Sequence, residues 1–75
     1  MKRFGRGTAY KEAFIDAVNE LYAVGGTVEE RILAVQELTD EYVDQTGERP
    51  ETVQLDRLST WILKGYDEEK KAAKK

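Results

Sequence analysis

The sequence predicts a small all-α domain made of three helices. Hydrophobic residues recur at steps of three and four, the spacing of a helix with one buried face, in three segments: about residues 9–24, 28–46 and 51–64. Gly25, Gly47 and Pro50 separate these segments, and no stretch alternates between apolar and polar residues over the length of a strand. Because 75 residues leave room for only one domain, we expect residues 1–75 to fold as a single unit.

The first segment is predicted to begin after Thr8, whose hydroxyl can cap the first turn, and to end at Gly25 and Gly26. Its central apolar stripe consists of Tyr10, Phe14, Ala17, Val18 and Leu21. Four further positions widen this stripe on its two sides: Ile15, Tyr22, Ala13 and Val24. Because one neighbouring helix does not cover so wide a surface, we expect contact with two helices, or with one helix and another chain. The second alternative predicts a homodimer.

The second segment has the clearest start signal, because Thr27 and Glu30 have the spacing of a capping box. The helix is predicted to run to about Thr46 and to end at Gly47. One side of it is apolar and consists of Val28, Ile32, Val35, Leu38, Tyr42 and Val43. The opposite side carries an exposed leucine among six acids: Leu33 with Glu29, Glu30, Glu37, Asp40, Glu41 and Asp44. Arg31 is the only cation of this helix and lies nearer the apolar side.

The third segment contains the most apolar run of the chain, residues 54–66, around which the other helices are expected to pack. The helix should extend from about residue 51, after Pro50, to about Lys64. Its predicted buried stripe is Leu55, Leu58, Ile62 and Tyr66. Residues 67–75 are helix-prone but lack an apolar stripe, so we expect them to be flexible, like the glycine-containing residues 1–7.

The three stripes are expected to meet in one core, with the first two helices antiparallel because the turn between them is short. The second helix should contribute Ile32, Val35, Leu38 and Tyr42, facing Tyr10, Phe14, Val18 and Leu21 of the first. Trp61 lies off the stripe of the third helix. It belongs to the core if that helix lies between the other two, and otherwise to an exposed aromatic patch of the kind that marks interfaces.

Charge is distributed unevenly along the chain, although the formal net charge is only −3. All 15 carboxylates lie between the two basic ends, which hold Lys2, Arg3, Arg6, Lys70, Lys71, Lys74 and Lys75. The absence of Cys and His excludes disulfides, thiolate and imidazole metal sites, and Ser-His or Cys-His catalysis. No apolar run approaches a membrane span and no secretory signal is visible, so we expect a cytoplasmic protein.

The acidic side of the second helix is the most distinctive candidate site. It is interpreted either as an ordinary solvated surface or as a docking surface for a basic partner protein, one that could imitate the phosphate spacing of a nucleic acid. The partner-binding residues would be Glu30, Leu33, Glu37, Asp40, Glu41 and Asp44, with Trp61 if it is exposed. One helix face supplies too few ligands for a metal, and so small a domain rarely has a catalytic cleft. We therefore expect no cofactor, no metal and no enzymatic activity.

The alternative interpretation is a small DNA- or RNA-binding accessory protein. It would use the basic ends, or residues 28–64 as a helix-turn-helix whose third helix reads bases. The residues concerned are Lys2, Arg3, Arg6, Gln54, Arg57, Lys70 and Lys71. Glu48, Glu51 and Asp56 would repel phosphates, and the loop between the helices is longer than in that motif.

Residues 39–66 carry one further pattern, formed by Thr46-Gly47, Pro50, Leu55, Arg57-Leu58 and Ile62-Leu63. The pattern resembles a segment of small helical proteins from bacteriophages and mobile elements of Gram-positive bacteria. That resemblance implies no catalytic signature and no site residue. Because small phage proteins often bind another phage protein or a host protein, it implies an accessory or regulatory interaction module.

Overall fold

The computed structural model describes Phe4 and residues 9–73, and in that part of the chain it shows three helices and no strand. The helices are α1 (Tyr10–Val24), α2 (Val28–Thr46) and α3 (Thr52–Ala73). The predicted all-α, three-helix fold is therefore confirmed. None of the described helices is both long enough and apolar enough to cross a membrane.

Local sequence signals fix both ends of α2. The capping box is present, because the Glu30 amide donates to Thr27 Oγ1 at 3.2 Å and the Thr27 amide donates to Glu30 Oε1 at 2.9 Å. At the other end Gly47 adopts a left-handed φ of 73°, and its amide donates to the Val43 carbonyl at 2.8 Å. For α1 the N-cap position is Ala9, which makes no side-chain cap, and the predicted cap Thr8 lies outside the described residues.

The helices run up, down and up. α1 and α2 are antiparallel, since the ring centre of Phe14 in the first half of α1 lies 4.7 Å from the ring centre of Tyr42 near the end of α2. α1 and α3 are parallel, because their contacts advance in the same direction along both helices: Lys11 lies at Glu51, and further on the Tyr22 hydroxyl donates to the Arg57 carbonyl at 2.5 Å. The first half of α1 lies at the start of α3, where Lys11 and Glu51 form an exposed ion pair of 3.8 Å.

The core contains an aromatic cluster to which Phe4 contributes. Phe4 is only 1% exposed. The centre of its ring lies 6.0 Å from the ring centre of Phe14 and 5.3 Å from that of Tyr42. Its amide donates to Gln45 Oε1 at 2.7 Å. Phe4 therefore belongs to the interior, because an aromatic ring finds more apolar contact inside the domain than in water. The expected flexibility of residues 1–7 stays a prediction. The rest of that segment lies outside the described residues.

The wide apolar surface of α1 is covered within the chain. Ile15 and Tyr22 on one side of the stripe are half-buried. The Tyr22 ring stacks on that of Trp61 in α3, with 6.5 Å between the ring centres. Ala13 on the other side is also half-buried, so that Val24, 77% exposed, is the one large apolar side chain of α1 left to solvent. The first alternative, contact with two helices, is thus the observed one, and the width of the stripe does not require a second chain.

The buried side of α3 is rotated relative to the predicted stripe. Leu58 is buried as expected, but Tyr66 is 53% exposed, and the other fully covered positions are Gln54, Trp61 and Gly65. Trp61, at 2% exposure, belongs to the interior, which is the first of its two alternatives, and it does not form an exposed aromatic patch. α3 contacts both other helices, and its buried stripe therefore follows the line between them.

α3 also continues beyond its predicted end near Lys64 and reaches Ala73. Two carboxylates hold this extension against the start of α2: Glu69 Oε2 accepts from the Val28 amide at 2.8 Å, and Glu68 Oε2 lies 2.7 Å from Arg31 Nη2. The structure places residues 67–73 in α3, in contact with α2, and the expected flexibility of residues 67–75 stays a prediction. A negative charge near a helix N-terminus is favourable, which gives these contacts a physical reason.

Candidate functional site

Arg31 is the most buried charged residue described, at 5% exposure. Its guanidinium donates to the Gly26 carbonyl at 2.9 Å, to the Trp61 carbonyl at 2.8 Å and to Glu68 at 2.7 Å. It also lies 5.1 Å from the centre of the Trp61 ring, within range of a cation–π contact. These contacts connect the α1–α2 turn, α2 and α3, so the Arg31 charge is already used inside the chain.

Gly65 provides the space that Arg31 occupies. A Cβ atom at residue 65 would lie 2.8 Å from Arg31 Cδ and 2.9 Å from Arg31 Nε, which is closer than packed atoms approach. A glycine inside a helix lowers helix stability by about 1 kcal/mol relative to alanine. At residue 65 this loss accompanies the space that the Arg31 side chain needs. The signal was visible in the sequence as a lone cation near an apolar face and a glycine within a helix-forming run.

The acids on the outer side of α2 are placed differently. Glu37, Asp40 and Asp44 are exposed, Leu33 beside them is 57% exposed, and within the described residues none of the three acids forms an ion pair. Glu30 is engaged locally, because its hydrogen bonds from the Thr27 amide and hydroxyl hold its pKa below the usual range. Glu30 therefore serves the start of α2, whereas the other three keep their charges available to a partner.

A groove of about 310 Å³ runs between α1 and α2. Its apolar lining consists of Ala17, Leu21, Val24, Ala34 and Leu38, and three carboxylates also line it: Glu20, Glu37 and Glu41. We call this set the acidic groove. The apolar members and Glu20 were not part of the predicted site, because a groove depends on how two helices are placed side by side. Two predicted residues, Glu37 and Glu41, line it.

Glu41 differs from the other acids of the site. Its side chain is partly buried, and its Oε1 atom is shielded from solvent without a hydrogen-bond donor among the described residues. A buried acceptor without a donor costs about 1–3 kcal/mol, so most such atoms in proteins are satisfied. Glu41 therefore lines the acidic groove with a partly buried carboxylate, one oxygen of which has no donor among the described residues.

Trp61 has no place at this site, because its indole lies inside the domain. Its Nε1 atom is likewise buried without an acceptor among the described residues. Without Trp61, six residues of the predicted partner site are exposed or half-buried: Glu30, which caps α2, and Leu33, Glu37, Asp40, Glu41 and Asp44.

The two residues of α3 that the helix-turn-helix interpretation expects to read bases both have partners within the chain, and Gln54 is buried. Gln54 is 9% exposed, and its Oε1 accepts from Arg57 Nη1 at 3.3 Å. Arg57 also donates to Asn19 Oδ1 at 2.6 Å and lies 5.4 Å from the centre of the Tyr22 ring. Base reading by Gln54 and Arg57 stays a prediction, and it would require Arg57 to leave Asn19 and Tyr22 of α1.

Of the remaining basic residues in that interpretation, Lys70 and Lys71 are exposed in the last turn of α3. Lys2, Arg3 and Arg6 lie outside the described residues. Among the residues that the structure does describe, no three carboxylates are grouped so that they could hold a metal ion.

Comparison with protein-family models, with curated proteins and with solved structures found no match. Function is therefore argued from the geometry and charge of the site.

Proposed function

We propose that this protein is a non-enzymatic interaction module that binds a basic partner protein through the acidic side of α2. The observation that carries the proposal is that Glu37, Asp40 and Asp44 are exposed together and make no ion pair with any described residue. Like charges three or four residues apart destabilise a helix slightly, by about 0.2–0.5 kcal/mol per pair. Acids that do not help the fold are consistent with a role in binding.

The acids and the exposed leucine would contribute to binding in different ways. Complementary charge raises the rate at which a basic partner arrives and selects against acidic proteins. Apolar contacts at Leu33 and in the acidic groove would then slow dissociation, since buried apolar anchors carry most of the binding energy at interfaces. The sequence resemblance to small phage proteins leads us to propose a phage accessory or regulatory role, with a phage or host protein as the partner.

Charge reversal tests this proposal. We expect a variant with Glu37, Asp40 and Glu41 replaced by Lys to fold but to lose the partner that the wild type captures from a lysate of the source cell. A matched control with Glu12, Asp56 and Asp67 replaced by Lys has the same net charge and changes exposed acids elsewhere. It should retain the partner.

Helix content and thermal unfolding of both variants check that the fold survives, and mass spectrometry identifies the captured proteins. Capture of the same proteins by both variants, or loss from both, would show that the side of α2 carries no specific binding and would contradict the proposal.

A further inference from the structure

The acidic groove extends along about two turns of each of its two helices. It is bounded by residues 17–24 of α1 and 34–41 of α2, which are two antiparallel stretches of about two turns, or roughly 10 Å, each. Two of its lining residues are alanines, Ala17 and Ala34, which leave room for close approach by a partner. Helices that dock into such grooves present apolar anchors at successive turns.

The charges of the groove indicate what kind of helix fits. α2 contributes two acids to the groove, Glu37 and Glu41, and no cation lines it among the described residues. Glu41 lines the groove and forms no ion pair with a described residue, so a cation at the edge of a bound helix would lie close to its carboxylate. The best complement is a Lys or Arg side chain beside an apolar stripe.

We propose that the acidic groove binds one amphipathic helix of a different protein, with small or aliphatic residues on its apolar stripe and Lys or Arg at the stripe's edges. This inference rests on the proposed function and specifies its partner. The apolar stripe would lie on Ala17, Leu21, Ala34 and Leu38, and one flanking cation would donate to Glu41.

A second copy of the chain fits the groove less well. The described helical segment richest in lysine, residues 64–71, holds Lys64, Lys70 and Lys71 but equally many acids, Asp67, Glu68 and Glu69. It therefore has no excess positive charge, and two of its acids are already engaged with α2. Charge complementarity thus favours a different protein as the occupant.

Synthetic helical peptides of about 18 residues, or five turns, test the inference directly. The first has a Leu/Ala stripe flanked by Lys, the second has the same composition in an order without a stripe, and the third keeps the stripe but replaces Lys by Glu. We expect only the first to bind tightly, with the largest amide shifts in nuclear magnetic resonance spectra at Ala34, Leu38 and Glu41.

Two variants locate the binding. Ala34→Phe fills the groove and should lower the affinity for the first peptide by about tenfold or more. Ala23→Phe adds the same ring at an exposed position of α1 outside the groove and should leave the affinity unchanged. Glu41→Gln keeps the shape of the side chain and should weaken binding by about threefold or more. The second variant keeps the test valid if Ala34→Phe disturbs the fold.

Several results would overturn the inference. Equal binding of the first two peptides would show simple charge attraction, and shifts confined to the Asp40 and Asp44 side would place the contact outside the groove. A wild-type dimer in sedimentation that Ala34→Phe dissociates would make a second copy the occupant. If Ala34→Phe and Glu41→Gln still capture the partner that charge reversal of α2 loses, the groove inference fails while the proposed function stands.

Discussion

The two sides of α2 use charge in opposite ways. At its N-terminal half the Arg31 guanidinium is buried and donates to two carbonyls and to Glu68. Along its outer side Glu37, Asp40 and Asp44 are exposed without an ion pair in the described part of the chain. The buried charge has partners inside the chain, because a buried charge without partners would lower the stability of the fold by several kcal/mol. Charges left without partners are those available for binding.

The largest expected effect comes from removing the buried charge. Arg31→Ala leaves the Gly26 and Trp61 carbonyls without a donor and opens a cavity beside Trp61, so we expect the free energy of unfolding to fall by about 2–4 kcal/mol. Urea denaturation measures the change. Glu68→Gln is the matched control. Because the Glu68 side chain is 68% exposed, this substitution should lower the free energy of unfolding by less than about 1 kcal/mol. Equal losses in the two variants would show that the ion pair, rather than the buried hydrogen bonds, is what matters.

The next effect is at Gly65. Gly65→Ala should destabilise the protein by about 1–3 kcal/mol, because its Cβ collides with Arg31, although alanine alone would favour the helix. The same substitution made in the Arg31→Ala background removes the collision and should stabilise the protein. This double-mutant cycle isolates the coupling between the two residues. If Gly65→Ala has the same sign in both backgrounds, Gly65 does not serve to accommodate Arg31.

The smallest effect is expected on the outer side of α2. Replacing Glu37 by Gln, and Asp40 and Asp44 by Asn, removes crowded like charges and should leave stability unchanged or raise it by a few tenths of a kcal/mol. Thermal unfolding at low and high salt measures this. The benefit should be larger at low salt, since salt screens exposed charges. A loss above about 1 kcal/mol would mean that these acids support the fold, and the contrast with Arg31 would disappear.

Local signals predicted the helices well. The capping box at Thr27 and Glu30 and the glycine at residue 47 fixed both ends of α2, because caps act within a few residues of sequence. The end of α3 could not be predicted in that way. Its last turns lack an apolar stripe, and they are held by contacts of Glu68 and Glu69 with residues about 40 positions earlier.

The candidate site was predicted only in part, for the same reason. The acids of α2 follow from helical periodicity, so Glu37, Asp40, Glu41 and Asp44 could be assigned to one side in advance. The acidic groove needs the relative placement of α1 and α2, and its lining by Ala17 and Ala34 has no signature in the order of residues. Trp61 and Gln54 were assigned to possible surfaces because the rotation of α3 depends on which neighbours it contacts.

The number of helices, their main start and stop signals, and the acidic side of α2 can be read from the residues in order, because short-range hydrogen bonds and helical periodicity specify these features. The burial of Arg31 beside Gly65, the place of Phe4 and Trp61 in the interior, and the groove between two helices become visible only in the folded chain. Those features depend on how apolar surfaces from distant parts of the chain fit together, and packing of that kind leaves no local pattern to read.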